Sequence, residues 1–131
     1  MLNATRKTAE HREAKRYPFH WPVAIVFDSA DNQNTYHGVT HDVSASGCAI
    51  LTDHNVFSEH TVTVLLSLPT DHPGGHRPVV EVKARMVYTV LSSGHNQFRC
   101  GIEFLKFKGP GHAKLNRVIE QRALKIMILH T

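Results

Sequence analysis

The residues best suited to bind a charged ligand are two arginines near the amino terminus, Arg12 and Arg16, in the stretch AEHREAKRYPFHWP at 9–22. An arginine guanidinium is a planar fork of donors that can bond a phosphate or a guanine edge through two hydrogen bonds. Taken alone, the four-residue spacing carries little information, because a basic run of this kind is usually a solvated surface. The pair is a candidate anion site that needs a second element.

A candidate second element is the segment HDVSASGC at 41–48, which contains the pattern Asp42-x-Ser44-x-x-Gly47. Aspartate and serine side chains bond nearby backbone NH groups and build tight turns, and glycine allows another group to approach the backbone closely. Taken alone, the segment is best explained as a well-made turn between strands. Asp42 could also accept hydrogen bonds from guanine N1 and N2, a pair of donors that adenine lacks.

The elements that position these residues follow from the spacing of apolar side chains. Alternation and turn residues predict six strands, and helical spacing after GPG at 109–111 predicts one final helix. The strands are predicted at 17–28, 35–44, 47–53, 61–69, 79–91 and 97–107, and the helix at 112–130. Six mostly antiparallel strands of this length favour a small closed barrel. The arginines then precede the first strand, and the Asp42 loop joins the second strand to the third.

The same alternation predicts which side chains form the core. One face of the fifth strand should carry the set Val80, Val82, Ala84, Met86 and Tyr88. Phe27, Phe98 and Phe104 are also predicted to point inwards. The alternate residues directly after Arg16 should point to the same side of the strand; these are Tyr17, Phe19 and Trp21. They could either pack in the core or lie beside a ligand. The apolar last turns of the helix, LKIMILH, suggest packing against the sheet or against another protomer.

Length and composition indicate an ordinary globular chain. The 131 residues, 41% hydrophobic and 20% charged, fit one domain. We expect a single domain over 1–131, divided into an arm at 1–16, a barrel at 17–107 and a helix at 112–130. No apolar run approaches the roughly 20 residues of a membrane span, and the amino terminus lacks a secretory signal. Two well-separated cysteines fit reduced thiols, so we predict a cytoplasmic protein without membrane insertion.

The charge and the histidine content limit the kinds of ligand, metal site and reaction that the sequence predicts. The formal charge of +4 leans towards an anionic partner. The 11 histidines lack the spacing of a metal site, and no CxxC or HExxH is present. A GxSxG nucleophile motif is also missing. The sequence therefore predicts neither a metal site nor catalytic residues, and a protein that is not an enzyme.

Together the two motifs are more specific than either alone. RxxxR before the first strand, followed by DxSxxG between the second and third strands, resembles the PilZ domain family. The closing segment CGIEF at 100–104 and the final helix extend the resemblance over roughly residues 10–128. The resemblance implies a bacterial receptor for cyclic di-GMP, with no other cofactor. It also implies a six-stranded antiparallel PilZ-type barrel and a flexible amino-terminal arm that folds over the nucleotide.

Carried over residue by residue, the family motif implies a ligand-binding set. Its members are Arg12, Arg16, Asp42, Ser44 and Gly47, with His11, Lys15 and Ser46 as further candidates. The family often has a third arginine directly before the RxxxR pair, and here His11 occupies that position. The residue there is associated with binding of one ligand or of an intercalated pair, so the sequence leaves both stoichiometries open.

The resemblance leaves the output of the protein open. It implies that the ligand-bound protein changes shape and signals to a protein partner, for which motility, pilus or biofilm machinery are candidates. Some family members lack the arginines and act as interaction adaptors without nucleotide, which is the main alternative. A small-barrel binder of nucleic acid is a weaker alternative, because most aromatic residues alternate into the predicted core and are not interleaved with exposed basic residues.

Overall fold

The computed structural model describes residues 14–30, 32–72, 74–94 and 96–129. It contains six strands and a helix, α1, in the order β1 (Pro22–Val26), β2 (Thr35–Val43), β3 (Gly47–Thr52), β4 (Val62–Ser67), β5 (Val79–Ser92), β6 (Gln97–Phe107) and α1 (Gly111–Leu129). The strands form a closed barrel in the order β1-β2-β3-β6-β5-β4, and every pairing is antiparallel. The predicted fold class, a six-stranded antiparallel barrel with a carboxyl-terminal helix, is confirmed.

The first strand is shorter than the predicted 17–28. Regular pairing begins at Pro22. Before it, Tyr17 forms an isolated bridge with Val43, and Thr40 of β2 donates its NH to the Trp21 carbonyl and its hydroxyl to the Phe19 carbonyl. The two backbones exchange hydrogen bonds of 2.9 Å in both directions at that bridge. Proline has no NH to donate, so Pro18 and Pro22 interrupt a continuous ladder. The bridge attaches the segment that carries Arg16 to the end of β2.

The aromatic residues after Arg16 belong to the core. The rings of Tyr17 and Phe19 stack at 5.3 Å, and those of Phe19 and Trp21 stack at 5.0 Å. Phe19 and Trp21 are buried, and Tyr17 packs against them from the rim. Of the two roles that the sequence left open, core packing is therefore correct for Phe19 and Trp21, while Tyr17 is partly buried against them.

Alternation predicted the core face of β5 correctly only as far as Met86. The set Val80, Val82, Ala84 and Met86 is buried. Tyr88, predicted to share this face, is instead 37% exposed. The register of β5 against β6 shifts between Met86 and Tyr88, and such a bulge changes which face the following side chains occupy.

Helix α1 covers the barrel with its first half. Leu115 and Ile119 are buried, while Asp71, in the loop before β5, accepts hydrogen bonds of 3.0 Å from Arg122 and Lys125. Of the two roles expected for the last turns, packing on the sheet or on another protomer, the first is not found for Leu124, Met127 and Leu129, which are exposed. In the described part of the chain, no helix is both long enough and apolar enough to cross a membrane.

Candidate functional site

The position of Asp42 depends on an irregularity in β2. The pairing of β2 with β3 shifts register between Thr40 and Asp42, which makes His41 an extra residue. In a regular strand, Thr40 and Asp42 would share a face. Here Thr40 is fully buried and Val43 belongs to the core, so the bulge turns Asp42 to the outer side of the barrel. Bulges commonly re-aim a side chain at functional sites.

The Asp42 carboxylate is the centre of a charged cluster. Its Oδ1 accepts a hydrogen bond of 2.6 Å from Arg16 Nη1, and its Oδ2 accepts one of 3.3 Å from Arg99 Nη2. His41 Nδ1 lies 2.9 Å from Oδ2 and donates in the tautomer that carries a proton there. Two motifs that are 26 residues apart in the sequence thus meet at one side chain.

The surroundings of Asp42 keep it ionised. Burial by itself would raise the pKa of this carboxyl group. The hydrogen bonds from His41 and Arg16, together with the positive charges of Arg16 and Arg99, outweigh burial and hold the pKa below its ordinary value. Asp42 is therefore a charged acceptor at neutral pH.

Arg99 is a member of the site that the sequence analysis did not select. It lies on β6, where its backbone pairs with Leu51 of β3, and its side chain reaches across to Asp42. Its Nε is buried without a hydrogen-bond partner among the described residues, a cost that the charged contact with Asp42 must offset. In the sequence, Arg99 alternates with buried Cys100 and Ile102, which places its side chain on the outer face of β6. The contact with Asp42 could not be predicted from this alternation, because it depends on the register of β2, β3 and β6.

Ser44 organises the turn between β2 and β3. Its Oγ accepts hydrogen bonds of 3.2 Å from the backbone NH groups of Ser46 and Gly47, and its own NH donates to the Gly47 carbonyl at 2.8 Å. The side chain is buried. Ser44 thus shapes the loop, and Ser46, which is partly exposed, presents a hydroxyl group beside it.

Gly47 is required by the close approach of β6. A Cβ atom at this position would lie 2.3 Å from the Ile102 carbonyl oxygen, a backbone atom that cannot move aside cheaply. The sequence motif indicated a place for a ligand at Gly47, and the structure gives this glycine a packing reason as well.

Gly47→Ala should lower the free energy of unfolding by about 1–3 kcal/mol, the usual cost of overpacking. Denaturant unfolding measures this change. Gly94→Ala is the matched control, because a Cβ there meets nothing within 4 Å, and its effect should stay within about 0.5 kcal/mol. Equal stability of Gly47→Ala and the unsubstituted protein would contradict the packing reason.

An open cavity of about 220 Å³ lies beside the cluster. Arg16, Ser46 and Gly47 line it from the arm and the loop, and Tyr88 and Glu103 line it from β5 and β6. Glu103 accepts a hydrogen bond of 3.1 Å from Arg85, so its negative charge is partly balanced. The cavity has an arginine, a hydroxyl and an aromatic ring beside the glycines of β3 and β6, a set suited to a polar planar ligand.

Not every predicted site residue can be placed. Arg12 and His11 lie outside the described residues. Lys15 is described, and its ammonium group lies 5.5 Å from the centre of the Tyr17 ring. Among the described residues, no group of three or more His, Cys, Asp or Glu side chains could hold a metal ion.

The fold is a small closed barrel, and it carries a charged cluster where Arg16 meets Asp42 at the end of β2. The sequence profile of the PilZ domain matches residues 10–121. The chain therefore belongs to the PilZ domain family, as the two motifs predicted. No curated protein sequence matches it.

Solved structures support the same fold at low sequence identity. The inhibitor of motility MotI/DgrA of Bacillus subtilis is 16% identical over 87% of this chain and 51% of its own, with a TM-score of 0.69. Escherichia coli YcgR in complex with c-di-GMP is 15% identical over 92% and 50%, with a TM-score of 0.66. The PilZ domain of CeSA from a cellulose-synthesizing bacterium is 17% identical over 84% and 99%, with a TM-score of 0.55. The present chain thus spans about half the length of MotI and YcgR.

Proposed function

We propose that this chain is a receptor for cyclic di-GMP, bound between the arm that carries Arg12 and Arg16 and the loop from Asp42 to Gly47. The observation that carries the proposal is the 2.6 Å contact between Arg16 and Asp42, at the edge of a cavity that Arg16 shares with Ser46 and Gly47. The family assignment and the YcgR complex with c-di-GMP support the choice of ligand.

The chemistry of the ligand matches the described side chains. An ionised carboxylate only accepts hydrogen bonds, so Asp42 would accept from guanine N1 and N2. The Arg16 guanidinium would bond a phosphate or the O6 and N7 edge of a guanine. Arg12 would supply a second fork from the same arm.

The remaining residues would hold the site in shape. Ser44 would keep the turn in the geometry that exposes the Ser46 hydroxyl, because its Oγ bonds the backbone NH groups of that turn. Arg99 would position the Asp42 carboxylate through its contact with Oδ2. Lys15 and His11 would add positive charge or donors near the phosphates.

Ligand binding would require an exchange of partners at Asp42. Both carboxylate oxygens accept from protein donors, so a guanine edge must replace part of these contacts. Arg16 is the donor best placed to move, because its side chain is more exposed than that of Arg99. Arg16 would turn from Asp42 towards the ligand and take the arm with it.

This exchange would alter the exposed surface around the arm, and we propose that a protein partner reads the change. A ligand shifts such an equilibrium only through a difference in its affinity for the two arrangements. A partner that binds the chain equally well with and without cyclic di-GMP would contradict this part of the proposal.

Isothermal titration of the chain with cyclic di-GMP tests the receptor function. Saturable binding with a Kd in the micromolar range or tighter supports it. Absence of saturable binding would overturn it and favour the adaptor function, in which the domain binds protein partners without nucleotide.

A further inference from the structure

A further bulge, in β6, places two adjacent residues on the outer surface of the barrel. Phe104 of β6 lies opposite Ala84 of β5. Lys106 lies opposite Lys83, which leaves Leu105 as the extra residue. On a regular strand, Lys106 would share the inner face with Phe104, but Leu105 is 48% exposed and Lys106 is exposed as well. The bulge therefore presents an apolar and a basic side chain side by side.

The exposed side chains around Leu105 are basic. Lys83 and Arg85 belong to β5, Lys106 belongs to β6, and Lys108 follows directly after β6. All four basic residues are exposed. Together with Leu105, they are here named the basic patch.

The pair Lys83 and Lys106 is unfavourable for the sheet by itself. The two residues lie directly opposite each other, and like charges in that position destabilise an antiparallel pair. Lys83 donates a hydrogen bond of 2.9 Å to the neutral hydroxyl of Thr63. Within the part of the chain that the structure describes, neither lysine forms an ion pair. The fold therefore keeps two positive charges together without a structural gain.

The other two basic residues of the patch are balanced by glutamates. Arg85 donates a hydrogen bond of 3.1 Å to Glu103, and Lys108 lies 3.9 Å from Glu81. Four basic groups against two carboxylates leave an excess of two positive charges. This excess comes from the two facing lysines, so the patch has electrostatic complementarity to an acidic group from outside the chain.

The arrangement of the patch suits an extended acidic segment of a protein. Lys83 and Arg85 are two residues apart on one face of β5, which is about 7 Å along the strand. Alternate side chains of an extended partner segment have the same spacing, so two of its carboxylates can meet both basic groups. Attachment to a membrane surface uses a broad apolar face, whereas Leu105 is the one apolar member of the patch.

We propose that the basic patch binds an extended acidic segment of a protein partner, with an apolar side chain of that segment seated on Leu105. The patch adjoins the candidate site, because Glu103 lines the site's cavity and holds Arg85. It is therefore also the place where the partner of the proposed function docks, and this last step rests on the proposed function. Binding of the acidic segment itself does not require the nucleotide.

Fluorescence anisotropy with a defined peptide tests the proposal. The probe is a fluorescein-labelled peptide in which glutamates alternate with serines around one central leucine. We expect saturable binding with a Kd of about 0.1 mM or tighter at low salt. The affinity should fall several-fold when salt rises from about 50 to 500 mM, because salt screens exposed charges. A matched peptide with lysine in place of glutamate should not bind.

Lys106→Glu removes the charge of the patch without a cost to the fold. The new carboxylate would face Lys83, and an opposite-charge pair supports the sheet, so thermal unfolding should show equal or higher stability. The Kd for the peptide should rise about tenfold or more. Arg117→Glu makes the same change in net charge at an exposed position of α1, outside the patch, and should keep the Kd within about twofold.

A second pair of substitutions tests the contact with Leu105. Leu105→Ser should raise the Kd for the leucine peptide about threefold or more. The same variant should bind a peptide with serine in place of the central leucine as the unsubstituted chain does, because two changes that remove one contact are not additive. Equal losses with both peptides would overturn the seat on Leu105.

The outcomes separate this inference from the receptor function. Absence of saturable peptide binding, or an equal Kd for Lys106→Glu and Arg117→Glu, would overturn the basic patch and leave the receptor function intact. Tighter binding to phosphatidylserine vesicles or to single-stranded DNA than to the peptide would overturn the choice of partner. Failure of the chain to bind cyclic di-GMP would overturn the receptor function, while peptide binding that is lost in Lys106→Glu would still support the patch.

Discussion

Arg16→Gln should weaken binding of cyclic di-GMP by roughly 100-fold or more while the barrel stays folded. A charge-assisted hydrogen bond is worth about 1.5–3 kcal/mol, and a guanidinium fork makes two, which glutamine cannot replace in charge or geometry. The Arg16 side chain is 56% exposed, so little stability depends on it, because exposed ion pairs contribute about 0–1 kcal/mol. Isothermal titration and thermal unfolding of the same sample measure the two effects.

The control for this substitution removes a positive charge elsewhere. Lys114 lies in the exposed first turn of α1, outside the site, so Lys114→Gln should bind the ligand like the unsubstituted chain. An equal loss of affinity in Arg16→Gln and Lys114→Gln would show that only overall charge matters. We expect a comparable loss for Arg12→Gln, which remains a prediction from the motif.

Asp42→Asn should remove most of the preference for guanine over adenine dinucleotides. The asparagine side chain has a similar shape but offers one acceptor and one donor, and the donor would face the guanine N1 and N2 donors. Loss of one or two hydrogen bonds to a charged group predicts a Kd for cyclic di-GMP about 10- to 100-fold higher. Binding of cyclic di-AMP should change little. Unchanged selectivity in Asp42→Asn would rule out the assigned role.

The same substitution should make stability less dependent on acid pH. The pKa of Asp42 is lowered by folding, so its ionised form adds stability above the unfolded pKa of about 3.9. That contribution is lost as the pH falls through the lower folded pKa. The free energy of unfolding of the unsubstituted chain should therefore exceed that of Asp42→Asn by about 1–2 kcal/mol at neutral pH. This difference should vanish in acid. Denaturant unfolding at pH 7 and at pH 3 or below measures both.

The sequence was sufficient to predict the elements because their alternation is strong. The strands β2, β3, β4 and β6 lie within two residues of their predicted bounds, and α1 begins one residue early. The first strand was overextended, because its aromatic residues favour a strand while Pro18 and Pro22 remove the donors that a ladder needs.

The candidate site was only partly predictable, because two bulges change the phase of alternation. The extra residues are His41 in β2 and Val87 in β5, and neither position is a glycine or proline that would mark it. The first bulge turns Asp42 outwards, and the second turns Tyr88 outwards. Motif spacing identified Asp42 despite this, whereas Tyr88 was assigned to the core.

The other members of the candidate site are defined by contacts between residues that are far apart in the sequence. Arg99 is 57 residues from Asp42 in the sequence, and only the pairing of β3 with both β2 and β6 brings the two together. The role of Ser44 depends on local hydrogen bonds within its turn, which the sequence pattern does not specify either. Side-chain chemistry indicates what each residue can do, but strand register decides which residues act together.

The central claim is that the site binds cyclic di-GMP and selects its guanines. Isothermal titration of the unsubstituted chain with cyclic di-GMP, cyclic di-AMP and GTP, under one set of buffer conditions, tests it most directly. We expect saturable binding of cyclic di-GMP and affinities at least roughly tenfold weaker for the other two. No saturable heat with cyclic di-GMP, or equal affinity for cyclic di-AMP, would contradict the account.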